Sequence, residues 1–496
     1  MKFNIYYFLI LISILLTGCT DLEEEPLDQL SSDQFFSNET QVAAAVRGVY
    51  ASLLQPHDFR VMWYLQEVTT EIGITPSRAG GWASDGEQKY KQHTWDETDR
   101  FLREMYTWYG RTVGRANTVI NILQEGGEFD AFRSEAIFYR AWAYFNLLDL
   151  YGNVPIVTET FEDPADIKGN RPIGEQRAKV FRFVENDLLK AIEGLPPKSS
   201  VGPGYYPRPT RETALSVLAK LYLNAEIWSG TPRWQDCIDV CDQVIATNEF
   251  SLTPVITDSY VPENQDSPEI IFSIVKSNLG ESRADGNFIN QLSLPPSLTL
   301  QVLQLPWGGW GGNSMTQQHY EAYEDDDFRK SLILFGPQLD PEGNEVINIK
   351  DIDDLFDAKV NEGLKSLKYV PDPEQNGPYA RNDVVLLRYA DILLSKAEAQ
   401  IRLGGPGAGD ELINQVRERN FEEYTPLSGI DLDFLLAERG REFSYDNLRR
   451  QDLIRFGKFI SNTHKFKVNF DDFRIVFPIP QQEVDINPNL DQNPGY

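Results

Sequence analysis

Two stretches of the chain set tryptophan among glycines and planar hydrogen-bonding side chains. The first, TPSRAGGWASDGEQKYKQHTW, places Trp82 between Gly81 and Ala83, with Arg78, Asp85 and Gln88 nearby. The second, LQLPWGGWGGNSMTQQHY, separates Trp307 from Trp310 by glycines and carries Asn313 and Gln317 beyond them. Small neighbours leave an indole unpacked by its own segment. A flat ring flanked by guanidinium, carboxylate and amide groups suits a ligand with an apolar C–H face and a rim of hydroxyls, which describes a pyranose. The competing use of a loop tryptophan is as a plug for the core. Trp95, Trp108, Trp142, Trp228 and Trp234 lie in or beside expected regular elements and are assigned to that role.

Other chemistries find less support. Glycoside hydrolysis needs two carboxyls about 5 to 9.5 Å apart, and nothing singles out a pair among 75 acidic residues. His57, His93, His319 and His464 are scattered and form no metal motif. Cys237 and Cys241 lie in WQDCIDVCDQVI, which reads as a helix, and no second pair completes a zinc site; two packed free thiols are expected. GGPGAGDEL lacks the Lys-Ser/Thr ending of a phosphate loop and follows a helix, so it reads as a helix-to-helix turn. The acidic run at Asp325, Asp326 and Asp327 lacks EF-hand spacing and reads as a solvated turn. The expectation is no catalytic residue, no metal and no cofactor.

The elements that must carry these loops are mostly helices. Helical periodicity dominates residues 39–250 and returns over 382–458, with helices expected near 39–54, 99–125, 131–150, 174–194, 210–228 and 233–247. Ser37 and Asn38 can cap the first, Gly152 ends the third, and Pro196 with Pro197 stops the fourth. Aromatic and alanine residues alternate at packing spacing in AWAYFNLLDLY and ALSVLAKLYLNAEIW, so antiparallel helix pairs should stack as a tetratricopeptide-like scaffold. Residues 251–381 are rich in Pro and Gly, with IIFSIV and LILFG reading as isolated strands; this region should drape over the helices. DVVLLRYADILLSKAEAQIRL, apolar on nearly every face, is expected to be a central helix. The tail, 459–496, must be tied down by side chains. Residues 39–250 and 251–496 are expected to form one compact unit.

The N-terminus reads as an export signal over residues 1–18, with Lys2 followed by a short apolar run. That run is shorter than the roughly 20 residues a lasting membrane span needs. Its end, LTGC, matches a lipobox, so Cys19 is expected to carry diacylglycerol and an acylated amine. Two or more acyl chains make the attachment stable. Residues 19–38 then form a loose acidic tether. The net charge of −29 becomes one unit more negative when Lys2 leaves with the signal. Nucleic acid, which requires clustered basic groups against phosphate, is a poor partner.

Four fragments, in order, resemble the SusD/RagB lipoproteins of Bacteroidetes: EAIFYRAWAYFNLLDLYGNVPI, VVLLRYADILLSKAEA with INQVRERN, ERGREFSYDNLRRQDLIRFGK, and the closing FPIPQQEVDINPNLDQNPGY. The resemblance implies a mostly helical fold with tetratricopeptide-like units and a long irregular region bearing short strands. It implies capture of an oligosaccharide or polysaccharide at the outer-membrane surface, and delivery to a SusC-like TonB-dependent transporter, without catalysis. It implies that Trp82, Arg78, Trp310 and Trp307 build the glycan platform, with Asp85 and Asn313 beside them. Within the motifs, Arg140, Arg388 and Arg455 sit in apolar helical sequence and are expected to pair with buried carboxylates such as Glu135, Glu398, Glu442 or Asp452. A surface glycoside hydrolase and a purely adhesive lipoprotein are the alternatives.

Overall fold

A computed structural model describes residues 36, 38–58, 60–78, 86–159, 161, 163–279 and 286–496. The expected signal, Cys19 and nearly all of the tether lie outside the described residues, as do Trp82 and Asp85.

The architecture is mostly α. Helix α1 (Glu39–Ala51) starts where the Asn38 side chain accepts a hydrogen bond from the Gln41 amide at 3.1 Å, satisfying one of the orphan donors of the first turn. Asp99 caps α2 (Arg100–Ile122) in the same way through the Phe101 amide. Helix α3 (Asp130–Tyr151) buries every residue from Ser134 onward and stops at Gly152, whose φ of 68° is one glycine adopts without strain. It is followed by α4 (Ile173–Gly194), α5 (Arg211–Leu223) and α6 (Trp234–Ala246). After the loop-rich region come α7 (Tyr389–Gly404), α8 (Asp410–Glu418), α9 (Leu432–Glu442) and α10 (Arg449–Arg455). Helices α2 to α8 pack each on the next, so the stack runs across the loop-rich insertion. The main apolar core accordingly includes residues from Val42 to Leu490.

The strands are short and pair antiparallel in four two-stranded sheets among the described residues. β1 (Gly73–Ile74) pairs with β3 (Ser314–Met315), β4 (Ile333–Leu334) with β7 (Lys365–Ser366), and β5 (Gly336–Leu339) with β6 (Glu345–Ile349). β2 (Ile270–Ile274) pairs with β8 (Val384–Arg388). This last pair corrects one expectation. VVLLR was expected to open the central helix, yet it is a strand, and the helix starts only at Tyr389. A run of four aliphatic residues has no polar face to show its period, and pairing with the largely apolar IIFSI satisfies its backbone in the interior.

The motif arginines are buried and paired. Arg388 meets Glu442 at 2.6 Å, Glu269 at 2.8 Å and Asp446 at 2.9 Å, and Arg455 meets Glu398 and Asp452 at 2.7 Å each. Arg140 differs from expectation in its partner. It binds Asp187 on the adjacent α4 at 2.8 Å, while Glu135 is held by Arg208. Cys237 and Cys241 are free thiols buried in α6, as their helical spacing suggests. The tail is fastened by Asn493, whose side-chain amide donates to the carbonyls of Tyr151 and Phe477 at 2.7 and 2.8 Å.

Candidate functional site

The two tryptophan-bearing stretches are far apart in sequence and adjacent in space. The β1·β3 pairing sets Gly73 opposite Met315 and Ile74 opposite Ser314, so the chain entering the Arg78 region runs beside the chain leaving the Gly-Trp loop. Arg78 seals the junction. Its guanidinium donates to the carbonyls of Lys359 and Glu362 and to the Ser314 hydroxyl. Asn313 lies beneath, fully buried, its side-chain oxygen accepting from the Thr75 hydroxyl at 3.0 Å. Lys365 completes this ledge by donating to Ser314 Oγ at 2.7 Å. Burial lowers Arg78 to about 10 and Lys365 well below the usual lysine range.

The Gly-Trp loop is strapped to the short helix Ile289–Ser293. The amides of Trp310, Gly311 and Asn313 donate to the carbonyls of Gln291, Leu294 and Leu292 at 2.6, 3.1 and 3.0 Å. A Cβ at position 309 would stand 2.0 Å from the Leu294 carbonyl oxygen, so glycine alone permits this approach. Gln375 donates to Gln291 Oε1, and Gln291 donates to the Gly308 carbonyl, each at 2.8 Å, bracing the loop from below.

This backbone buries one indole and leaves the other at the surface. Trp307 is only 7% exposed; its ring joins Leu294, Leu298, Ile347 and Ile349, and its Nε1 donates to the Asp372 carbonyl at 2.8 Å. Trp310 is 39% exposed. Its ring lies 6.2 Å from that of Phe288, which meets Tyr379 edge-on at 5.9 Å, giving a row of three aromatics that ends at the surface. Tyr379 is held over Gly286, where a Cβ would meet its ring at 2.3 Å. The turn carrying it is fixed at its base by Arg381, which binds Asp372 at 2.8 Å and Glu374 at 3.0 Å. Burial pushes the Asp372 carboxyl up, but hydrogen bonds from Arg381 and the Glu374 amide hold it below the usual range.

Of the expected site residues, Trp310 alone presents an open ring among those described. The expected exposure of Trp307, Arg78 and Asn313 is corrected. The first fills a small apolar cluster, Arg78 donates to the Glu362 carbonyl, and Asn313 accepts from the Thr75 hydroxyl. Trp82 and Asp85 lie outside the described residues. Sequence reasoning missed Phe288 and Tyr379. The only hint was the tyrosine on the turn NGPY, and nothing tied it to the distant tryptophan. Trp95, Trp108, Trp142 and Trp228 are buried as expected, and Trp234 is half-buried under Arg402.

No metal cluster forms among the described residues: no group of three or more His, Cys, Asp and Glu could hold an ion. The fold does bring together two histidines distant in sequence, His93 and His464, with ring centroids 5.7 Å apart. Burial keeps both neutral, holding His93 down to about 3 and His464 well below its usual value.

A stacked helical scaffold with an irregular, strand-poor insertion that brings an aromatic row to the surface defines a helical ligand-binding class of protein. Two family models match, one described as "SusD family" over residues 356–496 and one as "Starch-binding associating with outer membrane" over residues 22–223. The chain belongs to the SusD/RagB family. It is 24% identical to SusD-like protein P2 of Formosa agariphila, with all of both chains covered. It is 22% identical to the starch-binding protein SusD of Bacteroides thetaiotaomicron over 84% of this chain and 83% of that one. Among solved structures it is similar to a laminarin-binding SusD-like protein, with a TM-score of 0.76 and 24% identity over 92% of this chain and 100% of that one.

Proposed function

We propose that this protein is a cell-surface lipoprotein that captures oligosaccharides on the Trp310 platform and passes them to a SusC-like TonB-dependent transporter without altering them. The observation that carries the reading is the open Trp310 indole at the end of the Phe288–Tyr379 row. The apolar C–H face of a pyranose stacks on such a ring, and rigid backing by two further aromatics lets the ring stay open without collapsing onto its own loop. Relatives named for binding starch and laminarin support glucans as the first ligands to try. In this reading Cys19 is the lipid attachment. No helix among the described residues is long and apolar enough to cross a membrane.

The test is native gel retardation over starch, laminarin, xylan and pectin, with reducing ends assayed in the same mixtures. Retardation by at least one polysaccharide without new reducing ends is the expected result. New reducing ends would replace capture by hydrolysis, and no retardation by any neutral or acidic glycan would leave a structural role. Delivery is tested separately: the acylated protein, purified from the envelope in mild detergent, should bring a TonB-dependent transporter with it.

A further inference from the structure

A concavity of about 320 Å3 lies between α1, α3 and the turn at Gly204–Arg208 and shares no residue with the Trp310 platform. Small-ligand pockets run from about 300 to 1,000 Å3, so it has room for one or two sugar rings. Four aromatic residues line it: Tyr50, Phe132, Tyr139 and Tyr206. The Tyr50 hydroxyl is engaged with the backbone of Ser273 and Val275 and the Tyr206 hydroxyl with Asp383. With those hydroxyls committed elsewhere, the rings themselves are what these two residues offer a ligand.

The charges at this cavity oppose those of the chain. Its lining holds two arginines, Arg47 and Arg208, and one carboxylate, Glu135, for a net of +1 on a protein of −29. Glu135 is buried and already bound by Arg208 at 2.9 Å, and Arg208 lies over the Tyr205 ring at 4.3 Å and the Phe132 ring at 4.8 Å. Arg47 is exposed on α1, and no hydrogen bond or ion pair to it occurs among the described residues. An aromatic-walled cavity with one uncommitted guanidinium at its edge is complementary to a ring that carries an anion.

We propose that this cavity is a second ligand site, taking a pyranose unit that bears a carboxylate or sulfate, with Arg47 as the anion-binding residue. The site rests on the glycan-binding reading for its ligand class but makes no use of Trp310. A strongly acidic chain needs such a local basic group if it is to accept an acidic saccharide at all.

Calorimetry should compare three probes: a glucuronate-bearing disaccharide, its carboxyl-reduced counterpart, and the same neutral disaccharide carrying a sulfate. Acidic forms should bind at least tenfold more tightly than the reduced one, and the better of the two anions identifies the source of the charge. Arg47→Gln should remove that preference. Gly204→Leu, whose Cβ would meet nothing within 4 Å, should weaken binding by filling the cavity, with thermal unfolding unchanged in both variants. Trp310→Ala should leave the preference intact. Equal binding of acidic and reduced probes, or a preference that survives Arg47→Gln, would overturn the proposal. Loss of the preference in Trp310→Ala would also overturn it, by moving the acidic ligand to the platform and leaving the glycan-binding reading intact. Binding of no probe and of no polysaccharide would sink both.

Discussion

The arginine network under α7 to α10 and the aromatic row on the Gly-Trp loop use side chains of similar size to opposite ends. In the network, Arg329, Arg388 and Arg419 converge on Glu442 at 2.8, 2.6 and 2.6 Å, and Glu438 binds Arg329 and Arg441 at 2.8 Å each. All of these groups are shielded, and their charges are spent on one another. On the loop, Trp310 stays 39% exposed while backbone hydrogen bonds to the Ile289–Ser293 helix and close glycine approaches hold the chain around it. The motif-bearing segments therefore supply rigidity, and in the proposed function recognition falls to a loop that carries little motif of its own.

That contrast can be broken most severely in the network. Glu442→Ala leaves three buried guanidiniums short of their shared carboxylate and should cost about 3–5 kcal/mol in denaturant unfolding. A loss under about 1 kcal/mol, the size of an exposed pair, would show the network to be ornamental.

The same network should make the protein acid-labile. Burial pushes the Glu438 carboxyl up, but Arg329, Arg441 and Arg417 outweigh this and hold it down to about 2; Arg419, Arg388 and Arg329 hold Glu442 well below its usual value. A depressed carboxyl stabilises the folded state fully above its unfolded value of 4.5 and loses that contribution as pH falls toward 2. Unfolding free energy followed from pH 6 downward should fall steeply below about pH 4.5, and the slope should shrink in Glu438→Gln. A flat profile would contradict the pairing.

Trp307 sharpens the comparison from the other side. Its truncation to Ala empties a small cluster and removes the indole hydrogen bond to the Asp372 carbonyl, a cost of about 3 kcal/mol. Two tryptophans three positions apart in the same loop should thus differ in kind: one variant loses stability, the other loses ligand.

Much of the scaffold was legible because helices announce themselves twice, by apolar period and by caps such as Asn38 and Gly152. Strand β8 was not, since an aliphatic run without a polar face carries no period to read. The loop was half legible. Glycines beside Trp307 and Trp310 report a backbone free to turn, but they do not report which ring is buried, and one came out buried and the other exposed. Arg78 and Asn313 were expected to face ligand because they are polar residues in loops. Both face inward where β1 and β3 meet: Arg78 donates to the Glu362 carbonyl, and Asn313 accepts from the Thr75 hydroxyl. Phe288 and Tyr379 were invisible, because only the folded chain brings them to Trp310.

The most direct test replaces Trp310 with Ala and measures affinity for whichever glucan the wild-type protein retards, beside thermal unfolding of both proteins. Affinity should fall by tenfold or more while the unfolding midpoint stays within a degree or two, as for a side chain at the surface. Unchanged affinity, or a collapse in stability that matches Trp307→Ala, would show that the indole is packing and that sugar is held elsewhere.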